Sequence, residues 1–344
     1  MACKGRHTPL GFKIQKEEIQ MRNLKRALSL ALAAIMLIGM MVVSASAVSY
    51  NDLTDKDQIV NKDAVSMLVS LGIIEGKPDG SYGPTENVDR AQMAKMLSVI
   101  MNKGVDNSAL YQSVNSGLTD ITSNWAKGHI NYCYTTGIIA GRGNGTFDPS
   151  ATVTALEAAK MLLVAVGYDP KIEGFEGADW AINVSVRADE QGIFEGFTKD
   201  LSAPLNRDDA ALLIYNALDV EMIQSYTTNN YPIAYSDHRT ILADKYGVIK
   251  VQGVVVANEW ASLASDDGDA ALKEGKTTIY NGEGIFSTTG NTTVSKEDAS
   301  LKTQTFNVST PVDMLGKTVN LYIKKTTILA DSTVYGDPVV SDVN

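Results

Sequence analysis

The chain has 344 residues, 44% of them hydrophobic and 20% charged, with a formal net charge of −10. That is long enough for more than one hydrophobic core, and the composition is that of a mostly globular protein. The excess of acid argues against nucleic acid as a partner, because phosphates would be repelled.

Residues 1–20 precede a second methionine, Met21, and read as an upstream extension without fold information. Residues 21–47 read as a signal peptide. Arg22, Lys25 and Arg26 form a basic start, Ala27 to Val43 an apolar stretch, and Ser44 to Ala47 a small-x-small cleavage site. The apolar stretch is near the lower limit for crossing a bilayer, so no stable membrane span is expected after cleavage. Cleavage would leave 23 basic and 38 acidic residues, a formal −15, and Cys133 as the one cysteine. Cys133 falls on an apolar helix face, which predicts a buried thiol and no nucleophile.

From residue 52 a unit of about 50 residues recurs, the signature of small elements that bury their faces against one another. Its corner is Gly72-Ile73-Ile74-Glu75-Gly76, then Gly137-Ile138-Ile139-Ala140-Gly141, then Gly192-Ile193-Phe194-Glu195-Gly196. Twelve residues before each corner stand Val60, Trp125 and Trp180; twelve after stand Pro84, Pro149 and Pro204. Asp55 and Asp120 match in the first two units, with Phe175 in the third. Each corner glycine ends a predicted helix. Pro78-Asp79-Gly80 and Gly143-Asn144-Gly145 read as turns, since the alternating carboxylates of a calcium loop are missing. A second helix then opens on a cap: Asp89 with Gln92, Thr154 with Glu157, Asn206 with Asp209. Arg90 and Arg207 directly follow two of these caps. Arginine is mildly unfavourable at a helix N-terminus, so its recurrence there has two readings: an anion site built with free backbone N–H groups, or a solvated arginine paired locally with a neighbouring acid.

The run Val88-Asp89-Arg90-Ala91-Gln92, behind the Gly72–Gly76 corner and Pro84, resembles the S-layer homology module. Trp125-Ala126, Gly141, Phe147-Asp148-Pro149 and Val153-Thr154 make the second unit its nearest likeness. The resemblance covers residues 52–103, 116–168 and 173–220. It implies an all-α triplet, a pseudo-threefold spindle of helices whose grooves hold a cell-wall polysaccharide, often one with pyruvylated sugars. Carried over by position, it nominates Arg90 and Arg207 for charge and Trp125 and Trp180 for sugar stacking. Gly76, Gly141 and Gly196 would allow close approach of the ligand. Ala155 stands where the second unit's arginine belongs, and Val60 where the first unit's tryptophan does. Two competent grooves of three are expected, with the second unit's the poorest.

Residues 225–240 are polar and read as a linker, and 241–344 as a small β-rich domain. Within it, Ile241–Tyr246 suggests a short helix, and residues 247–257 a bent strand or strand pair. Further strands are expected at 277–280, 304–308, 317–323 and 326–329, with an acidic loop at 266–275. Similar segments follow such triplets in surface proteins of clostridia-like bacteria. The fold class is therefore multidomain, an all-α triplet followed by a small β-rich domain. No metal-ligand spacing, nucleophile elbow or phosphate loop occurs, so neither metal nor cofactor is expected. The reading is a non-catalytic, secreted cell-surface protein anchored to cell-wall polysaccharide, with self-association in a surface layer as a further partnership. The alternative is an anchored enzyme or scaffold whose C-terminal region carries the activity or docks a partner.

Overall fold

The computed structural model describes residues 49–263, 271–285, 287–289, 301–324 and 331–341. The expected signal peptide, the strand at 326–329 and part of the acidic loop lie outside these residues. Residues 48–344 fall in one compact unit.

Six α-helices come first among the described residues: α1 (Lys62–Ser70), α2 (Arg90–Met101), α3 (Lys127–Thr135), α4 (Ala155–Val166), α5 (Trp180–Glu190) and α6 (Arg207–Leu218). Consecutive helices are joined at the three corners, and they pack mainly across units: α1 on α6, α2 on α3, and α4 on α5 and α6. Gly72, Gly137 and Gly192 adopt φ of +69°, +80° and +70°, the left-handed geometry that reverses the chain after α1, α3 and α5. The caps form as the residue types dictate. Thr154 accepts from the Glu157 N–H at 3.2 Å, and Glu157 accepts from the Thr154 N–H at 3.1 Å. Asp89 and Gln92 make the same reciprocal pair. Asn206 accepts from the Asp209 N–H at 2.7 Å, but Asp209 turns instead to Lys199 at 2.5 Å. Asp55 and Asp120, matched in sequence, do one job. Asp55 accepts from the N–H groups of Tyr82 and Gly83, Asp120 from those of Phe147 and Asp148, each tying its unit's turn back onto its start.

The segments entering α2, α4 and α6 meet in a closed ring of backbone bonds. The Val88 N–H donates to Leu205 O, the Leu205 N–H to Val153 O, and the Val153 N–H to Val88 O, at 2.8 to 2.9 Å. Around this ring one apolar core is shared by all six helices, with Leu97, Leu162 and Ile214 at matching positions.

Residues 225–240, expected as a polar linker, contain regular structure. A hairpin of β1 (Ile223–Tyr226) and β2 (Pro232–Ala234) occupies most of the stretch. It is held down where the Tyr226 hydroxyl donates to Glu173 at 3.0 Å and accepts from the Asp169 N–H at 2.9 Å. A π-helical turn, Leu242–Tyr246, leads into β3 (Ile249–Asn258), which is one long strand. β4 (Thr277–Tyr280), β5 (Ser287–Thr289), β6 (Thr303–Phe306), β7 (Thr318–Lys324) and β8 (Thr333–Val340) complete an antiparallel sheet in the order β6-β4-β3-β7-β8, with β5 also pairing β3. Alternate residues of β3 face its core, where Val251 and Val255 join Ile279, Phe306 and Leu321. The sheet is seated on the helices. β8 crosses α1, the Tyr215 and Tyr322 hydroxyls lie 2.8 Å apart, and Lys250 reaches Asp219 at 2.5 Å.

Candidate binding grooves

Arg90 begins α2 with its side chain 4% exposed. Its guanidinium crosses to the second unit, where Nε donates to Phe147 O and Nη2 to Ala140 O, both at 2.8 Å. It stacks 4.4 Å from the Phe147 ring centroid. Arg207 repeats the contact from the third unit to the first: Nε donates to Tyr82 O at 2.8 Å, Nη2 to Glu75 O at 3.4 Å, and the Tyr82 ring lies 4.8 Å away. Among the described residues neither arginine has a carboxylate within ion-pair distance. Burial pulls the Arg90 pKa down to about 10, with repulsion from Arg142 the next cause, so it stays charged at neutral pH.

Each arginine therefore serves the corner of the next unit. Ala155 heads the helix that abuts the third unit, where the Leu156 N–H donates to Leu201 O. There Leu201 stands where Pro84 and Pro149 accept the same bond, so Lys199 takes the place of Tyr82 and Phe147. The arginine and its aromatic platform are kept together twice and lost together once. Ala155 therefore does not deprive the second corner of an arginine, because that corner receives Arg90 from the first unit.

A groove of about 590 Å³ opens at this second corner. Arg90, Arg142, Glu157, Lys160, Glu176 and Trp180 line it, drawn from all three units. Lys160 lies on α4 with Nζ 5.7 Å from the centroid of the half-buried Trp180 ring. Burial lowers the Lys160 pKa, opposed by Glu176, and among the described residues it forms no ion pair. Arg142 differs, being held by Glu157 at 3.2 Å and Asp148 at 3.7 Å.

Of the residues nominated from sequence, Arg90, Gly141 and Trp180 come together here. Gly141 also has a task within its own unit. A Cβ there would sit 2.8 Å from Thr146 O, so the glycine lets its own loop close. Arg207, Trp125, Gly76 and Gly196 do not line this groove. Trp125 is 58% exposed and meets His129 edge-on at 6.3 Å. At the first corner Lys95, the counterpart of Lys160, is tied to Glu75 at 3.3 Å. Lys77 there pairs with Glu86. Lys160 was missed by sequence reasoning. Its signal was a difference between repeats, Ala140 standing where the first unit has the acid Glu75.

One further cluster has the residue types of a hydrolase. His129 Nδ1 lies 2.6 Å from Ser98 Oγ, and its Nε2 lies 3.6 Å from Asp106. Ser98 and His129 are each 4% exposed, and neither lines the groove. Ser98 Oγ donates to Lys95 O at 2.9 Å, so it accepts from the imidazole N–H. That buried arrangement braces α2 against α3 and gives a substrate no access.

The S-layer homology domain model matches this chain twice, at residues 49–94 and 117–159. A cell surface protein of Thermoanaerobacter kivui is 27% identical over 270 residues, 78% of this chain and 32% of that protein. An S-layer protein of Bacillus licheniformis is 34% identical over 113 residues, 33% of this chain and 12% of its own length. An amylopullulanase of Thermoanaerobacterium thermosulfurigenes is 30% identical over 186 residues, 50% of this chain and 10% of that enzyme. The chain spans at most about a third of the length of these relatives.

Proposed function

From a chain that carries two S-layer homology domains, we propose a non-catalytic protein of the cell surface that is held to an anionic cell-wall polysaccharide at the second corner. The third helix pair, α5 and α6, acts as a third module of the anchor. Its support is the backbone ring in which Leu205 stands equivalent to Val88 and Val153. The observation that carries the binding reading is Lys160, a half-buried ammonium without a carboxylate partner among the described residues, set beside an indole face and the Arg90 guanidinium. A sugar ring stacked on Trp180 would place an acidic substituent, such as a pyruvate ketal, near these two cations. Glu157, the nearby acid on α4, is paired with Arg142. One groove is competent in this reading. The first corner's lysines are paired, and the third corner has neither the arginine nor its aromatic platform.

The test is co-sedimentation with isolated walls, using walls stripped of their secondary polymer as the control. The protein is expected to pellet with intact walls only, and the Lys160→Ala variant to stay in solution. Equal binding to both wall preparations would sink the reading.

A further inference from the structure

Six residues before their corner glycines, α1, α3 and α5 carry Ser66, Asn131 and Val186. The repeated fold therefore does not require an amide at this position. Asn131 is fully buried, beneath the segment that leads into α3. That segment is tightly seated. Its Tyr111 ring meets Tyr132 edge-on at 5.0 Å, and a Cβ on Gly128 would fall 2.1 Å from Ser108 O. Asn131 Nδ2 donates to Tyr111 O and Val114 O at 2.9 Å each, which uses both of its hydrogens. Those bonds fix the amide's orientation, because a flip would set Oδ1 against two carbonyl oxygens. Oδ1 is left as a buried acceptor with no donor among the described residues. Such an atom calls for a donor from outside the fold.

A cavity of about 190 Å³ opens against this amide. At the ~30 Å³ that a water occupies in the liquid, it has room for about six waters, more than one acceptor needs. The buried Leu118 and Ile121 give it apolar walls, and the exposed Ser113 and Thr122 give it a polar mouth. Lys127 is the one charged residue among those lining it. Lys127 is the first residue of α3, where positive charge opposes the helix dipole, and it forms no ion pair among the described residues. It lies one turn from Asn131, so the two Cβ atoms are about 6 Å apart on one face. The cavity thus offers an acceptor that needs a donor, a cation that needs an anion, and apolar walls between polar ends.

We propose that this cavity is a ligand site of its own, for a small hydroxylated anion. A ligand hydroxyl donates to Asn131 Oδ1, a nearby carboxylate or phosphate takes the Lys127 ammonium, and the carbon chain lies against Leu118 and Ile121. A simple carboxylate lacks the donor, and a neutral polyol leaves Lys127 unpaired, so both parts are needed. A sugar acid and a polyol phosphate share this chemistry. The cavity has no lining residue in common with the groove at the second corner, so the site does not depend on the wall-binding reading.

The experiment is isothermal titration calorimetry of the protein with glucuronate and with glycerol 3-phosphate. Acetate and glycerol are the controls, carrying only the charge or only the hydroxyls. Saturable binding of at least one hydroxylated anion is expected, the tighter of the two naming the source, and neither control should saturate. Lys127→Gln should weaken binding roughly tenfold, the worth of one charge-assisted hydrogen bond, with an unchanged thermal melt. Asn131→Ser, which installs the first unit's residue, should weaken it by a similar factor. Lys160→Ala should titrate like the wild type. Failure of both anions to bind overturns the proposal and leaves Oδ1 to ordered water. So does undiminished binding by Lys127→Gln, and so does loss of binding in Lys160→Ala, which would place these anions in the groove instead.

Discussion

The first and second corners have the same backbone, the same arginine and nearly the same platform, yet they differ as surfaces. At the second, Arg90 is buried over Phe147, and Lys160, beside Trp180, has no ion-pair partner among the described residues. At the first, Arg207 is half-buried over Tyr82, and Lys95 is drawn to Glu75. One substitution between repeats, Glu75 against Ala140, gives Lys95 a carboxylate partner that Lys160 lacks among the described residues. The arginine holds the units together at both corners, and what sits above it decides whether the site has charge to offer.

The largest effect expected from breaking this comparison is on stability. Arg90→Ala leaves Phe147 O and Ala140 O without their donor and removes a buried stack. The cost is about 3 kcal/mol, from the penalty for orphaned buried acceptors and the lost charged hydrogen bonds. Urea unfolding should show it as a lower midpoint at an unchanged slope. Arg207→Ala, at a wetter site with one long bond of 3.4 Å, should cost about half as much. Equal losses would mean that the two corners are not mechanically different.

Binding should respond to the lysine more cleanly than to the arginine. Lys160→Ala is expected to weaken wall adsorption by roughly tenfold or more, the worth of a charge-assisted hydrogen bond at ~1.5 kcal/mol. Its stability should change little, whereas Lys95→Ala should leave adsorption unchanged. If both lysine variants bind like the wild type, the second corner is not the site. Exchanging the corner residues sharpens the point. Ala140→Glu should pair off Lys160 and weaken adsorption several-fold, and Glu75→Ala should free Lys95 and strengthen it by a smaller factor. The gain is smaller because the first corner keeps the Lys77–Glu86 pair above its arginine.

Much of each repeat unit was legible in the sequence because its signals are local. A glycine that must take positive φ, a threonine three residues before a glutamate, and an aspartate at a fixed offset from a turn report on atoms a few bonds away. Gly137, Thr154 and Asp120 behave accordingly. Counting along repeats aligns equivalent residues but is blind to which unit each one touches. Arg90 was therefore assigned to its own module although its side chain reaches the next, and Ala155 was counted against a corner that Arg90 reaches. Lys160 went unnoticed because its availability depends on Ala140, twenty residues away and on another element. Residues 225–240 looked like a linker because polar side chains also suit a hairpin lying on a wet surface. Its anchor, Tyr226 on Glu173, is a contact 53 residues apart that no local pattern announces.

The smallest effect expected lies between the corners and concerns His129, beneath the exposed Trp125. Burial holds its pKa below the ordinary 6.5, with Asp106 opposing and Lys95 adding to the fall. The unfolded chain therefore binds this proton more readily than the folded one. Neutral His129 contributes its full stability above about pH 6.5, and that contribution is lost as pH falls from there toward the folded pKa. Ser98 already fixes the N–H on Nδ1, which leaves Nε2 to take the proton facing Asp106 at 3.6 Å. Thermal melts between pH 7 and pH 5 should show a slope that shrinks in His129→Gln, a neutral side chain that can still donate to Ser98. The Asp106→Asn variant should steepen it, because the imidazolium then has no counter-charge. An identical slope in all three proteins would remove His129 as the titrating group and leave the acid sensitivity of this region to its carboxylates.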